Sequence, residues 1–329
     1  MSGVRVIVVA QEDDGQRLDR WLKKHVPDLP YVLLQKLMRK GQIRVDGKRA
    51  KTDTRLLAGQ SIRIPPSTDE IKEDRHFRAE KGDKDLVRSM IIYDDGDLIA
   101  INKPFGVASQ GGFRVERHID GLMEHLADAE GGKPKLCHRL DRDTSGLLLL
   151  ARSRDMAMRV GKAFEGKDIR KYYWAIVTPA PEDNQGSIIA PLMKGEGFEK
   201  DMMVVDEDEG KFARTEFRVL ERAAKKAACI ALWPRTGRTH QLRVHCQIAG
   251  FPIVGDEKYG DREMSDALIE SLGVAPRLHL HAGRIIMQHP LKKTLLDLRA
   301  PLPPELKKSW AAMGFDEDIR DDPFADVKL

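Results

Sequence analysis

Residues 137–152, CHRLDRDTSGLLLLAR, constrain this chain more than any other stretch. A charged cluster from His138 to Asp143 runs through Thr144, Ser145 and Gly146 into the apolar residues Leu147–Ala151. An apolar run of that length, bounded by glycine and charge, predicts a buried strand. The charged cluster then falls at the entrance to that strand. Composition alone is equally satisfied by an ordinary polar loop stapled by Asp and Thr side chains.

The surrounding pattern is strand-rich from residue 89 onward. SMIIYDDGDLIAINKP holds two strand-like runs around Asp94–Asp97, and KYYWAIVT, TEFRVLER, KAACIALWP and RLHLHAGRIIMQH predict further strands. Residues 153–168 have helical periodicity, with Ser153 as the expected cap. Many strands with a few helices at one side predict an α+β domain over 89–315, built on a mainly antiparallel mixed sheet. Period-two alternation puts Tyr173 on the opposite face from Tyr172 and Trp174.

A different pattern precedes it. QRLDRWLKKHV and PYVLLQKLMRKG carry apolar residues at helical spacing, with Pro30 suited to a helix start and Gly41 to a stop. QIRVDGKRA centres on Asp46-Gly47, a two-residue hairpin signal, and GQSIRI adds a short strand. Residues 1–65 carry 14 Lys/Arg against 7 Asp/Glu, whereas the rest carry 42 against 45. A basic module on a near-neutral body points to a polyanion, most commonly nucleic acid, although a solvated basic face has the same composition. Residues 66–88 are charged and poor in large apolar groups, which predicts a flexible linker. Residues 316–329 hold six acidic and two basic residues and are expected to be frayed or weakly docked.

No apolar stretch suits a signal peptide or membrane span, so the expected location is the cytoplasm. Cys137, Cys229 and Cys246 lack CxxC spacing and are expected to be buried free thiols. His240, His245 and Cys246 lie close together, as do His279 and His281, but no convincing second ligand pair turns them into a zinc site, so no metal is expected. Asp94, Asp95 and Asp97 lack the ordered spacing of a calcium loop and predict a strand turn.

HRLDRDTSGLLLLA resembles the signature of the RluA-type pseudouridine synthases. IIYDDGDLIAINKPFGVASQGG (91–112), KYYWAIV (171–177), RTGRTHQLRVH (235–245), PIVGDEKYG (252–260) and LHLHAGRIIMQHP (278–290) resemble that family's other motifs in order and spacing. RLDRWL, LQKLMRKGQIRVDGK and GQSIRI resemble the S4 RNA-binding module, with Pro30-Tyr31 departing from its usual Ser-Arg pair. With that module, the chain is most similar to the ribosomal large-subunit branch of the family.

The resemblance implies an enzyme that isomerises uridines in large-subunit ribosomal RNA. It implies Asp141 as the indispensable carboxylate, Arg243 as its charge partner, and Tyr173 as the ring against the flipped uracil. Arg139 would be the arginine that enters the RNA where the base has left. RNA contacts in the S4-like module would fall among Arg17, Arg20, Lys36, Arg39, Lys40, Arg44, Lys48 and Arg49. The reaction breaks the bond from uracil N1 to ribose and rejoins the base through C5, without gain or loss of atoms. It therefore calls for no redox cofactor or metal, only a carboxylate acting at ribose or base. A buried carboxylate stays ionised when a cation is near. The target base must leave its stack to reach such a site. Without the resemblance, Arg243 fits a surface strand and Tyr173 a strand core. The remaining alternatives are a synthase for transfer RNA and a non-catalytic RNA-binding or ribosome-assembly protein. The protein is expected to act as a monomer.

Overall fold

The computed structural model describes residues 4–26, 40–65, 82–111, 117–128, 131–166, 168–199 and 201–327, together with residues 34, 37, 38, 80 and 115. The chain divides into two compact units, Met1–Asp74 and Arg75–Leu329.

The first unit contains β1 (Arg5–Val8), α1 (Leu18–His25), β2 (Arg44–Val45), β3 (Lys48–Arg49) and β4 (Ser61–Ile64). Its sheet has the order β1-β4-β2-β3. The hairpin between β2 and β3 turns at Asp46 (φ 48°) and Gly47 (φ 73°), the two left-handed residues that a tight primed turn demands. Leu18, Trp21 and Leu22 of α1 pack on Ile62 and Ile64, all essentially inaccessible to solvent. Pro30, Tyr31, Lys36 and Arg39 lie outside the described residues.

The second unit begins with α2 (Asp83–Met90), within the stretch that composition assigns to a linker. Val87 and Met90 are buried and anchor this helix to the core, so the charged composition around them understates the segment's packing. The rest of the predicted linker, 66–79 and 81, lies outside the described residues. Next come β5 (Ile91–Asp94), β6 (Leu98–Lys103), α3 (Ile119–Leu122), β7 (Lys135–Leu136), β8 (Ser145–Ala151), α4 (Arg154–Glu165) and β9 (Arg170–Val177). They are followed by β10 (Gln185–Ile189), β11 (Leu192–Lys194), β12 (Met203–Val205), β13 (Arg214–Ala223), β14 (Ala227–Pro234) and α5 (Gln241–Ile248). The last elements are α6 (Arg262–Leu272), β15 (Leu280–Gln288), β16 (Leu295–Arg299) and α7 (Pro304–Ala312). The Ser153 hydroxyl accepts the Met156 N–H at 3.1 Å and caps α4.

The large sheet runs β10-β13-β14-β9-β15-β8-β6-β5, with β16 on β15 and β7 on β8. Its pairings are antiparallel except for β15 with β8, where His281 lies opposite Ser145 and Ala282 opposite Gly146. β8 is buried along its whole length. Tyr173, Ala175 and Val177 of β9 enter one core, and Tyr172, Trp174 and Ile176 enter the other. The second core is closed by α7 through Leu306 and Trp310, and by the chain's end.

Of the two expected states, frayed or weakly docked, that end is docked. Phe324 is 1% exposed against Tyr172 and Trp233, while Asp322 pairs with Arg170 at 3.2 Å and Asp326 with Arg218 at 2.9 Å. One buried aromatic outweighs the repulsion of its acidic neighbours. Among the described residues no helix is long and apolar enough to cross a membrane.

Candidate functional site

A cleft of about 740 Å³ opens on the Tyr173 face of the sheet. It is lined by the loop between β7 and β8, the loop after β6, the loop between β14 and α5, and residues of β9 and β15. A volume of that order accommodates a nucleotide-sized ligand.

Asp141 stands in this cleft, half-buried, between two residues whose backbone is tied down. On one side, Ser109 Oγ donates to the Leu140 carbonyl at 2.7 Å and accepts the Leu140 N–H at 3.0 Å. On the other, the Arg142 carbonyl accepts from Lys103 Nζ at 3.0 Å and from the Gly106 N–H at 3.0 Å. Lys103 is fully buried and donates also to the carbonyls of Pro104 (2.9 Å) and Val107 (2.7 Å). Burial pulls its pKa down to about 7, against the attraction of Asp143 and Asp141. Three carbonyl acceptors match the three N–H bonds of an ammonium group, so the charged form is the one this loop is built around. The loop therefore sets Asp141 by backbone contacts on both flanks, and the carboxylate itself remains accessible.

Strand β8 begins directly after this loop, where Ser145 Oγ contacts His281 Nδ1 at 3.0 Å and accepts from Arg277 at 3.1 Å. His281 Nε2 lies 3.1 Å from the Ala300 carbonyl and so carries the proton, which makes Nδ1 the acceptor of the Ser145 hydroxyl.

Tyr173 lines the cleft and is 9% exposed; burial first, and the charge of Asp141 second, push its phenol well above the ordinary range, so it stays protonated. Lys171, two residues earlier on the same face, lies 4.9 Å over the Phe164 ring, and burial lowers its pKa to about 8. Arg139 is exposed at the cleft's edge.

Arg243 lines the cleft too, but its hydrogen bonds are made to another carboxylate. Its guanidinium binds Asp256 through Nε at 2.7 Å and Nη2 at 2.5 Å, not Asp141. Both partners are 5% exposed. The Asp256 carboxylate also accepts the N–H groups of Lys258 (3.0 Å) and Tyr259 (3.1 Å). Asp141 reaches Arg243 only through its field, as one of the charges that raise the guanidinium's pKa against burial. Arg243 is also on helix α5 and buried, not on a surface strand.

His240 Nε2 lies 4.0 Å from Asp141 Oδ2. His240 caps α5 with left-handed backbone (φ 51°), and its Nδ1 lies 2.7 Å from the Tyr259 hydroxyl. Sequence reading considered His240 only as a metal ligand and assigned no role to Lys103, Ser109, Asp256 or Tyr259, although all five fall in the family-like motifs. Of the sequence-singled histidines, His245 contacts the Ala190 carbonyl at 3.3 Å, and His279 the Val254 carbonyl at 3.1 Å and Ser309 at 2.9 Å. Among the described residues, three acidic or imidazole ligand atoms come together at Asp95, Asp97 and His289, where Asp95 already accepts from Tyr93 (2.7 Å) and Lys292 (2.8 Å).

In the first unit, Arg20, Lys40, Arg44, Lys48 and Arg49 are exposed, whereas Arg17 pairs with Asp19 at 2.8 Å and Arg44 donates to the Gly47 carbonyl at 3.1 Å.

The sequence model for RNA pseudouridylate synthases matches residues 97–248 of this chain, which hold the Asp141 loop, Tyr173 and Arg243. Ribosomal large subunit pseudouridine synthase C of Vibrio parahaemolyticus is 37% identical over 306 residues, 93% of this chain and 95% of that protein. The protein of the same description from Escherichia coli is 35% identical over 306 residues, with the same coverage. The solved structure of human RNA pseudouridylate synthase domain containing 4 is similar over 70% of this chain and 96% of its own, with a TM-score of 0.59 and 29% identity. By relatives that align along nearly its whole length, this chain belongs to the RNA pseudouridylate synthase family, in its RluA-type branch, and is an RNA pseudouridine synthase, an isomerase.

Proposed function

We propose that the enzyme converts specific uridines of large-subunit ribosomal RNA to pseudouridine, and that Asp141 is the carboxylate acting on the extruded nucleoside. The observation that carries this reading is the placement of Asp141: an accessible carboxylate in the cleft, with the backbone on both sides fixed by Ser109 and Lys103. The names of the relatives from V. parahaemolyticus and E. coli support the ribosomal target.

Each neighbour has a part. Tyr173 lies on the same cleft wall and offers a protonated ring against which a flipped uracil packs. Arg243, neutralised by Asp256, contributes field and shape to the pocket. Exposed Arg139 fills the gap left in the RNA. The N-terminal unit is an S4-like module whose exposed cations hold phosphates of a structured RNA. The isomerisation conserves all atoms of the nucleoside, so the reaction requires no redox cofactor and no metal.

Asp141→Asn keeps size and removes charge. It is expected to abolish tritium release from 5-tritiated uridine in ribosomal RNA while leaving RNA affinity within about twofold, because binding is dominated by cation–phosphate contacts elsewhere. Wild-type turnover by this variant would refute the assignment. Pseudouridine mapping of ribosomal and transfer RNA, from cells with and without the protein, tests the target; sites lost only from transfer RNA would refute it.

A further inference from the structure

Beside Asp141, the imidazole of His240 is aimed by a chain of contacts that fixes which of its nitrogens carries a proton. The Tyr259 oxygen accepts the Met203 N–H at 2.8 Å and lies 2.7 Å from His240 Nδ1. Tyr259 is 2% exposed, and burial raises its pKa, so the phenol keeps its proton. That proton needs an acceptor, since a buried hydroxyl left unpaired is costly. His240 Nδ1 is in place to take it. Nδ1 is therefore the acceptor, and the single proton of a neutral imidazole sits on Nε2, the atom 4.0 Å from Asp141 Oδ2.

The backbone agrees. His240 adopts φ 51°, a region that residues with a Cβ seldom enter. This turn seats the residue at the start of α5, with its ring between Tyr259 and the cleft. The groups that act on the imidazole are Tyr259, Asp141, Arg243, Lys258 and Asp256; burial lowers its pKa, with Arg243 and Lys258 assisting and the two carboxylates opposing.

We infer that His240 is a positioning residue: a neutral N–H donor, set by Tyr259, that closes onto Asp141 Oδ2 when the nucleoside occupies the cleft and holds that carboxylate in one orientation while its other oxygen acts. A distance of 4.0 Å is one small side-chain rotation from a hydrogen bond, and such contacts tighten when substrate binds. The inference rests on Asp141 being the acting carboxylate.

Two substitutions of similar polarity separate the nitrogens. The amide nitrogen of Gln reaches the position of Nε2, and that of Asn reaches only the position of Nδ1. Single-turnover rates on a pre-folded ribosomal stem–loop are expected to stay near wild type in His240→Gln and to fall in His240→Asn by roughly 10- to 100-fold, the equivalent of one hydrogen bond to a charged group. RNA affinity should be unchanged in both. A purely structural role gives the reverse order, because Asn retains a partner for Tyr259 and suits left-handed backbone. Equal rates, or a faster Asn variant, overturn the inference. Tyr259→Phe provides a second test that leaves His240 in place. Without the hydroxyl nothing fixes which nitrogen carries the proton, so the whole pH–rate profile should drop severalfold at unchanged RNA affinity. A profile that stays superimposable on wild type overturns it. Asp141→Asn in the same assay keeps the two ideas apart: activity there refutes the reading of Asp141, whereas an inactive Asp141→Asn with indistinguishable Gln and Asn variants refutes only the role of His240.

Discussion

Asp256→Asn is the perturbation that most directly tests how this site is held. Asp256 and Arg243 are each 5% exposed and joined by two hydrogen bonds of 2.7 and 2.5 Å. Asparagine keeps one oxygen, but its amide nitrogen faces a guanidinium that has only donors. Breaking a buried, hydrogen-bonded pair costs about 3–5 kcal/mol, and the retained oxygen places the change near the lower bound. For a domain of this size, about 3 kcal/mol lowers the melting temperature by roughly 6–12 °C. Function should suffer separately. With a neutral amide at position 256, Asp141 becomes the carboxylate that attracts Arg243, so the guanidinium is drawn onto the carboxylate proposed to react. A single-turnover loss of roughly 10- to 100-fold at unchanged RNA affinity is expected, the magnitude of one misplaced charge-assisted contact. Replacing the pair together, as Arg243→Met with Asp256→Leu, should restore most of the stability, as apolar substitutes for buried pairs often do, and none of the activity. Calorimetry and tritium release measure the two effects. A melting temperature within about 2 °C of wild type for Asp256→Asn would refute a strut role for the pair, because that shift corresponds to less than about 1 kcal/mol. Wild-type activity of the double variant would exclude Arg243 from the chemistry.

Two further outcomes follow from the core. His279 and His281 are fully buried, and burial lowers each to about 4 from an ordinary value of 6.5. As pH falls below about 6.5 the unfolded chain takes up protons that the folded protein refuses, so stability is complete above that pH and declines toward pH 4, by roughly 3 kcal/mol per histidine; urea midpoints unchanged between about pH 7 and pH 4.5 would refute it. Gly146 has φ +113°, and a Cβ there would lie 2.3 Å from the Ala282 carbonyl oxygen across the parallel β8–β15 contact. Gly146→Ala is expected to destabilise the unit by on the order of 3 kcal/mol or more through backbone displacement, and a soluble protein with wild-type melting behaviour would refute that.

The strands were legible where their apolar residues follow the local period. The Asp46-Gly47 hairpin and the Ser153 cap were legible because each is decided by two or three adjacent residues. Helix α5 was not. Leu242, Val244 and Cys246 alternate with polar residues and mimic a strand, yet Gln241 through Cys246 are all buried and only Gln247 and Ile248 at the helix end are exposed, so too little of it faces solvent to produce a 3.6-residue period. The docked tail was hidden for the opposite reason: its composition is set by six acidic residues, while its packing is decided mainly by Phe324. Family-like motifs brought Asp141, Tyr173 and Arg243 to one cleft, but the partner of Arg243 depends on a turn after Ile253 that seats Asp256 beside α5. No local pattern reports that contact.

The indirect setting of Arg243 clarifies the electrostatics of the site. An arginine bound directly to Asp141 would stabilise its charge but occupy the lone pairs that its proposed role requires. Here the guanidinium is satisfied by Asp256, and the buried ammonium of Lys103 by three carbonyls, one of them the carbonyl of Arg142 next to Asp141. Both cations act on Asp141 through space, and neither blocks it. Coulomb attraction declines only as the inverse of distance, whereas a hydrogen bond is lost within about 1 Å, so cations held at a short remove still attract the carboxylate and leave it free. Orientation must then come from elsewhere, and the backbone clamps at Leu140 and Arg142, with the neutral donor at His240, are the groups in position to provide it.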